Sequence, residues 1–324
     1  MSNGVNLLYK KSLVPNTLAK SRWLWSYIGV IILYILVSTV SDSPFQTFSA
    51  SISFSTFLIL VGLGQMLVIT NGPGNIDLSI PYTIAFAGSF SLKVIGGTNE
   101  GIILGLVVAI ASGMAVGMFN FALIRFGLIP PMVATLASSF IVRTLTIVFF
   151  RGMLIKPPPG LERFVNTKLL GLPLLFLLTV FLAVFMHFIL NRTTYGRGIQ
   201  AIGQNTKAAY LASVKVDRCK FITYTLSGLF AGLAGILLAS FTGGATLGMG
   251  GDYQSNSIAV VVVGGTSIAG GDSNVQGIIG ASILLYLITN FMNIIGLGVG
   301  FRNIITGIVI VGIILATGRG KGAR

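Results

Sequence analysis

Charge is scarce in this sequence. Only 9% of its 324 residues are Asp, Glu, Lys or Arg, and just seven are acidic, where soluble domains carry about 25%. The solitary Cys219 can close no intrachain disulfide and lies in a basic loop, so it reads as an inert thiol. The single imidazole, His187, stands near the end of an apolar run, an interfacial position rather than a proton relay. With no paired His, Asp or Glu inside the apolar runs, a metal site or a hydrolytic dyad has no candidates, and no catalytic residue is expected. A GxxxxGK[ST] phosphate loop is missing too: the one Gly-Lys pair lies in RGKGAR at the tail, and no LSGGQ-like signature occurs. No polar segment is long enough to form an ATPase or receptor domain, so energy for any transport must come from a gradient or from another polypeptide.

What is present is apolar. Residues of the AVILMFWYC set make up 54% of the chain, with a mean hydropathy of +0.91, more than one water-soluble core absorbs. A bilayer is the solvent that accounts for it, since about 20 apolar residues cross roughly 30 Å of hydrocarbon as a helix. Ten runs qualify, near 23–41, 52–70, 78–96, 101–124, 128–150, 172–190, 221–241, 255–271, 275–296 and 301–317. The expectation is an all-α polytopic protein: a tail 1–22, one transmembrane domain 23–317 and a tail 318–324. The third and eighth runs are the weakest, because TNGPGNIDLSIP and TGGATLGMGGDYQS break the backbone beside them, and either can be a half-helix or re-entrant segment.

The formal charge of +14 brings nucleic acid to mind, but the basic residues collect in loops between the runs, as the positive-inside rule requires. Lys10, Lys11, Lys20 and Arg22 precede the first run as in a retained signal-anchor helix. With residue 1 inside and ten crossings, the N-terminal tail, Arg125, the segment 191–220 and the tail residues Arg319, Lys321 and Arg324 hold fourteen of the twenty-one Lys and Arg residues. The N-in, C-in reading leaves one exception, the outer loop 151–171 with Arg151, Lys156, Arg163 and Lys168. A faint internal correspondence pairs spans two to five with spans seven to ten: IDLSIPYTIAFAG (76–88) resembles DYQSNSIAVVVVG (252–264). An offset of five spans makes such copies inverted in the membrane.

The segment TTYGRGIQAIGQNTKAAYLAS (193–213) carries the main clue. Gly196 and Gly198 flank Arg197, Gly203 interrupts again, and Asn205 or Thr206 can cap a short helix. From Lys207 to Val214 the chain reads as two helical turns carrying Ala208, Ala209, Leu211 and Ala212, an apolar face that wants a partner. The pattern GRxxxAxGxNxxAA at 196–209 resembles the cytoplasmic coupling loop of ABC importer permeases of the ribose, galactoside and autoinducer-2 type. Three further stretches agree in order: NIDLSIP (75–81) is similar to that family's GGIDLSVG, PPMVATLASSFIVRTLTIVF (130–149) to PxFIxTLGxxxxxRG, and SIAVVVVGGTSIAGG (257–271) to DAIAAVVLGGTSLAGG. The last is the most specific. Asn75 stands where Gly is usual, and Pro81 and Tyr82 where Gly and Ser are usual.

The resemblance implies a pair of permease chains, identical or sister, with two cytoplasmic ATPases below, a periplasmic binding protein above and lipid around them in the inner membrane. It implies that this chain binds no cofactor itself, ATP and Mg2+ residing on the ATPases, and that Gly196, Arg197, Gly203, Asn205, Lys207, Ala208, Ala209 and Leu211 form the coupling loop. Ionisable and polar groups in the spans are the candidates for a translocation pathway: Asp77, Ser79, Thr135, Ser139, Arg143, Asp252 and Asn256. Each has a plainer alternative. Arg143 can snorkel outward, and Asp77 and Asp252 can simply favour a helix start. The glycines of GGTSIAGG fit close packing or a tight re-entrant turn better than a phosphate loop. A gradient-driven transporter would need coupling acids in the spans and would leave the helix after Asn205 without purpose; a membrane-embedded enzyme would need a clustered set of reactive groups that is not there.

Overall fold

The computed structural model describes residues 23–150, 155–169 and 171–298, with positions 300, 301, 304, 307, 308 and 311 beyond them. The tails 1–22 and 318–324, Arg151, Arg302 and most of the expected last span lie outside the described residues. With lipid offering no hydrogen bonds, each apolar run satisfies its backbone internally. The first half comprises α1 (Leu24–Val40), α2 (Pro44–Thr70), α3 (Ile80–Ile95), α4 (Ile102–Arg125) and α5 (Pro131–Phe150). A connector follows with α6 (Pro159–Asn166) and a minimal antiparallel pair, β1 (Lys168–Leu169) and β2 (Leu172–Pro173), in register Lys168 to Pro173. The second half comprises α7 (Leu174–Arg192), α8 (Thr194–Gln204), α9 (Thr206–Leu211), α10 (Val216–Phe241), α11 (Tyr253–Val263) and α12 (Val275–Ile294).

Among the described residues, six helices, α2, α4, α5, α7, α10 and α12, are long and apolar enough to cross a membrane. The protein is an all-α, multi-pass membrane protein. For the run over 255–271, which the sequence leaves open as a span or a half-helix, the structure has the shorter form. Only α11, 11 residues and hence about 16 Å, is helical there; the chain then turns through 264–274, where Gly265, Gly270 and Gly271 take positive φ. That is half the hydrocarbon thickness.

α2 and α10 form the centre. α2 is buried along 89% of its apolar window, whereas α4 and α7 are buried along only 28% and turn most of their surface outward. α10 packs along α4, α3 and α2. Small residues permit it: a Cβ on Gly113 or Gly228 would strike the other's backbone, and one on Gly232 would strike the Ala109 carbonyl. In lipid, where apolar side chains gain nothing by meeting each other rather than acyl chains, such close approach is the main source of helix affinity.

One end of the bundle gathers the last turn of α2, α8, α9, the turn 264–274 and an ion pair from Arg125 Nε to Asp217 Oδ2 at 2.8 Å. The opposite end carries α6, the β-pair and the start of the segment after α10, where the Ala245 N–H donates to the Ile155 carbonyl at 3.1 Å. From the α8 end, residues 71–79 climb back beside α2, so that the Asp77 N–H donates to Gln65 Oε1, more than a turn above Thr70, at 3.3 Å. From the α6 end, residues 242–252 descend until Gly250 packs on the Pro81 carbonyl so closely that a Cβ would collide with it. Both short helices, α3 and α11, therefore begin inside the bundle, and the two breaks meet there.

Gly113→Leu should force α4 from α10 at an overpacking cost of about 1–3 kcal/mol or more. The expected outcome is a lower melting temperature in detergent, measured by size-exclusion fluorescence after heating, whereas Val107→Leu on the outward face of α4 should leave it unchanged.

Candidate functional site

The segment 193–213 builds two helices at the α8 end. Thr193 caps α8 through its Oγ1, which accepts the Gly196 N–H at 3.2 Å. α8 is amphipathic: Ile199, Ile202 and the three glycines Gly196, Gly198 and Gly203 are buried, while Arg197 is exposed. The glycines are there for proximity. A Cβ on Gly196 would strike the Leu190 carbonyl, and one on Gly203 would strike both the Thr70 carbonyl and the Gly271 backbone. Thr70 O in turn accepts the Gly271 N–H at 3.0 Å. The end of α8, the end of α2 and the turn after α11 thus meet backbone to backbone. Gly72 and Gly270 complete the junction with φ of +124° and +83°, a left-handed region open to Gly at little cost. Tyr195 ties α8 to α10, its hydroxyl 2.9 Å from Thr223 Oγ1; burial pushes its phenol pKa up, so it stays a neutral hydrogen-bonding group.

α9 is shorter than the sequence pattern implies. It spans Thr206–Leu211 rather than Lys207 to Val214, because Ser213 adopts a left-handed φ of 63° and the Val214 N–H folds back to the Ala209 carbonyl. Asn205 is the cap, its Oδ1 accepting the Ala208 N–H at 3.0 Å. Ala209 turns inward, while Lys207, Ala208 and Leu211 are exposed. Tyr210, which sequence reasoning passed over, is 70% exposed beside Leu211 at 75%, so the tip of α9 presents two large apolar side chains away from the bundle. Beneath α8 a cavity of about 710 Å³ is lined by Arg197, Lys215 and Arg218.

Asp77 and Ser79 are enclosed rather than open to a pathway. Both are buried, and Ser79 is the N-cap residue of α3 without a side-chain capping bond. Asp77 Oδ1 accepts the Ser79 N–H at 3.0 Å and its hydroxyl at 2.6 Å, and Oδ2 accepts the Ser227 hydroxyl from α10 at 2.7 Å. Asn120 on α4 donates to Ser79 Oγ at 2.8 Å and approaches Asp77 Oδ1 at 3.5 Å. Thr135 pins the same break to α5, donating to the Ile76 carbonyl at 2.9 Å and accepting the Leu78 N–H at 3.1 Å. Ser139 is buried one turn further along α5. The break at 71–79 is therefore bonded to α2, α4, α5 and α10 at once, and Asn120, Ser227 and Gln65 are the partners that sequence reasoning missed.

The departures from the family pattern have local causes. Asn75 Oδ1 accepts the Tyr224 hydroxyl of α10 at 3.2 Å, a bridge no glycine can make. Pro81 fills the first turn of α3, where its missing N–H costs nothing. Tyr82 lies under Arg143, whose guanidinium carbon is 5.5 Å from the ring centroid; Arg143 is exposed on α5, apart from the Asp77 cluster. In the second half Asp252 is the N-cap residue of α11 without a side-chain bond to the helix, and lines a cavity at the α6 end; Asn256, half-buried one turn on, does not line it. His187 is exposed on α7 beside Asn191.

Removing the Asp77 carboxylate strands two hydroxyl donors and an N–H inside the bundle, at about 1–3 kcal/mol each. Asp77→Ala should therefore lower melting more than Ser227→Ala, in heating scans of the detergent-solubilised protein. Equal melting of Asp77→Ala and the parent would show that the cluster does not hold the break.

Comparison with known proteins identifies the family of the chain. The profile of the family described as "Branched-chain amino acid transport system / permease component" matches residues 47–316. The ribose import permease protein RbsC of Bacillus subtilis (strain 168) is 31% identical over 293 residues, covering 88% of this chain and 89% of its own length. RbsC of Escherichia coli (strain K12) is 29% identical over 299 residues, covering 88% and 90%. The autoinducer 2 import system permease protein LsrC of Yersinia pseudotuberculosis (strain YPIII) is 29% identical over 300 residues, covering 90% and 83%. No solved structure matches the chain. With a profile spanning most of its length and relatives aligned nearly end to end, the chain belongs to the branched-chain amino acid transport system permease component family.

Proposed function

We propose that this chain is the permease subunit of an ABC importer that carries a sugar or sugar-like solute across the bacterial inner membrane. The sugar-like cargo follows from the relatives, which are named for ribose and autoinducer 2. In this reading the α8 end is cytoplasmic, the chain crosses ten times with both termini inside, and α3 and α11 are the corresponding shortened elements of two inverted copies. Support for that comes from the two breaks, which enter from opposite ends and each place an acid, Asp77 or Asp252, at the head of a short helix. Inverted repeats with discontinuous helices at the midplane are a common transporter plan.

The observation that carries the reading is the junction at Gly203. Two cytoplasmic ATPases, holding ATP and Mg2+, dock on the exposed tip of α9; a periplasmic binding protein delivers solute to the α6 end; a second permease chain, identical or related, completes the pathway. This chain hydrolyses nothing. Closure of the ATPases moves α9, and α8 transfers the displacement to the Thr70 carbonyl and the Gly271 backbone, and so to both breaks together. Nucleotide and binding protein each shift one inward-open to outward-open equilibrium by favouring different states. Coupling residues and pathway residues are thereby separate sets. The α8 and α9 residues transmit force, whereas Thr135, Ser139 and Arg143 on α5 and Asp252 and Asn256 on α11 lie along the routes between the two ends.

In proteoliposomes holding the complete complex, Gly203→Val should abolish ATP hydrolysis stimulated by the loaded binding protein, and Ala208→Asp should do the same by spoiling the docking face, while both variants remain inserted in the membrane. Undiminished stimulation in either variant would remove α8 and α9 from the coupling role.

A further inference from the structure

The cavity at the α6 end has the chemistry of a solute site. It is an open cavity of about 440 Å³, within the range of small-molecule pockets. One wall is aromatic: Phe54 and Tyr286 stack with centroids 5.7 Å apart and planes at 23°. Asp252, Asn290, Asn293 and Thr246 also line it, with the Asn290 amide donating to Ser51 Oγ at 2.7 Å. An apolar ring face with a carboxylate and carboxamides beside it matches a polyol ring, whose C–H face packs on the aromatics and whose hydroxyls donate to the acid.

Asp252 carries the argument. The segment that bears it descends from the α6 end until its neighbour Gly250 touches Pro81 at the first turn of α3, well inside the bundle. A carboxylate at that depth cannot face hydrocarbon and must meet a partner or water. Among the described residues it makes no ion pair, and as N-cap residue it takes helical angles, φ −66° and ψ −23°, without accepting a capping N–H; the neighbouring Tyr253 phenol is near enough to feel its charge. Nor is Asp252 buried: the residue is exposed and lines the cavity, with no hydrogen bond from its side chain to the helix it heads. Of the other charges at membrane depth, Asp77 is enclosed in its own hydrogen-bonded cluster, and Arg143 is on α5 over Tyr82; neither lines this space.

We propose that this cavity is a water-filled vestibule open to the extracytoplasmic side, in which Asp252 binds neutral or cationic polyhydroxylated solutes and turns away anionic ones such as sugar acids and sugar phosphates. The proposal rests on the importer reading for its direction, but its test needs no ATPase and no identified cargo. In a Cys219→Ser background, which removes the one native thiol, Asn293→Cys and, as a second reporter, Thr246→Cys are exposed in intact cells to two membrane-impermeant methanethiosulfonates of similar size, one cationic and one anionic. Rates are normalised to those of a free thiol. Both reporters should react from outside, and the cationic reagent should be favoured roughly tenfold, a preference that Asp252→Asn abolishes. No labelling from outside, or equal normalised rates with Asp252 present, would overturn the proposal. Failure of ATP-dependent uptake by the parent complex would instead strike the importer reading and leave these rates unaffected.

Discussion

The tightest link between the α8 end and the rest of the bundle is a contact without side chains. At Gly203 the backbone of α8 meets the last carbonyl of α2 and the turn that follows α11, with no room for a methyl group. Backbone contacts of this kind are stiff, since they cannot relax by changing rotamer as a Leu or Met contact does. A push on α9 therefore reaches both halves of the bundle at once. This position lies seven residues from Tyr210 on the exposed α9 tip, and under the proposed coupling role it is how so short a surface helix would act on a bundle many times its size.

Behind that junction, polar chemistry does what apolar contact cannot. In lipid, helices gain little by burying Leu against Leu, so close glycine packing and internal hydrogen bonds set which helices touch. The stripe through Gly113, Gly228 and Gly232 holds α4 against α10. Asp77 then joins the non-helical segment to that pair, through Ser227 on one helix and Asn120, by way of Ser79, on the other. The break is thus attached at its base to the force-transmitting junction and at its top to the helix core. A displacement at Thr70 cannot be absorbed by a slack loop.

Much of this was legible in the sequence, for reasons that also mark where legibility ended. Long apolar runs fixed α2, α4, α5, α7, α10 and α12 to within several residues, because lipid leaves a chain no alternative to helix. The weakness of the runs at 78–96 and 255–271 was visible in their flanking glycines, and both prove to start inside the bundle. α8 was not foreseen as a helix, since three glycines in eleven residues argue against one on propensity; tertiary contact overrides that, each glycine being required by a neighbour too close for a side chain. Ser227 and Asn120, polar residues in Gly-rich spans, carry no signal of their own. The signal that finds them is the acid: a carboxylate carried into a bilayer protein needs donors, and these stand on the helices that flank it. Asp77 looked like a pathway residue by the same rule that applies to Asp252, and only the fold separates the enclosed acid from the open one.

The central claim, that α8 and α9 move as one body with the turn after α11, is tested most directly by distance measurement through the nucleotide cycle. Spin labels at Ala208 and at Ile268, which is exposed in that turn, should keep one separation with and without ATP in the assembled complex, while the separation from Ala208 to Glu100 near the opposite end changes. A shift between Ala208 and Ile268 on nucleotide binding would mean that α9 moves alone, and would contradict the account.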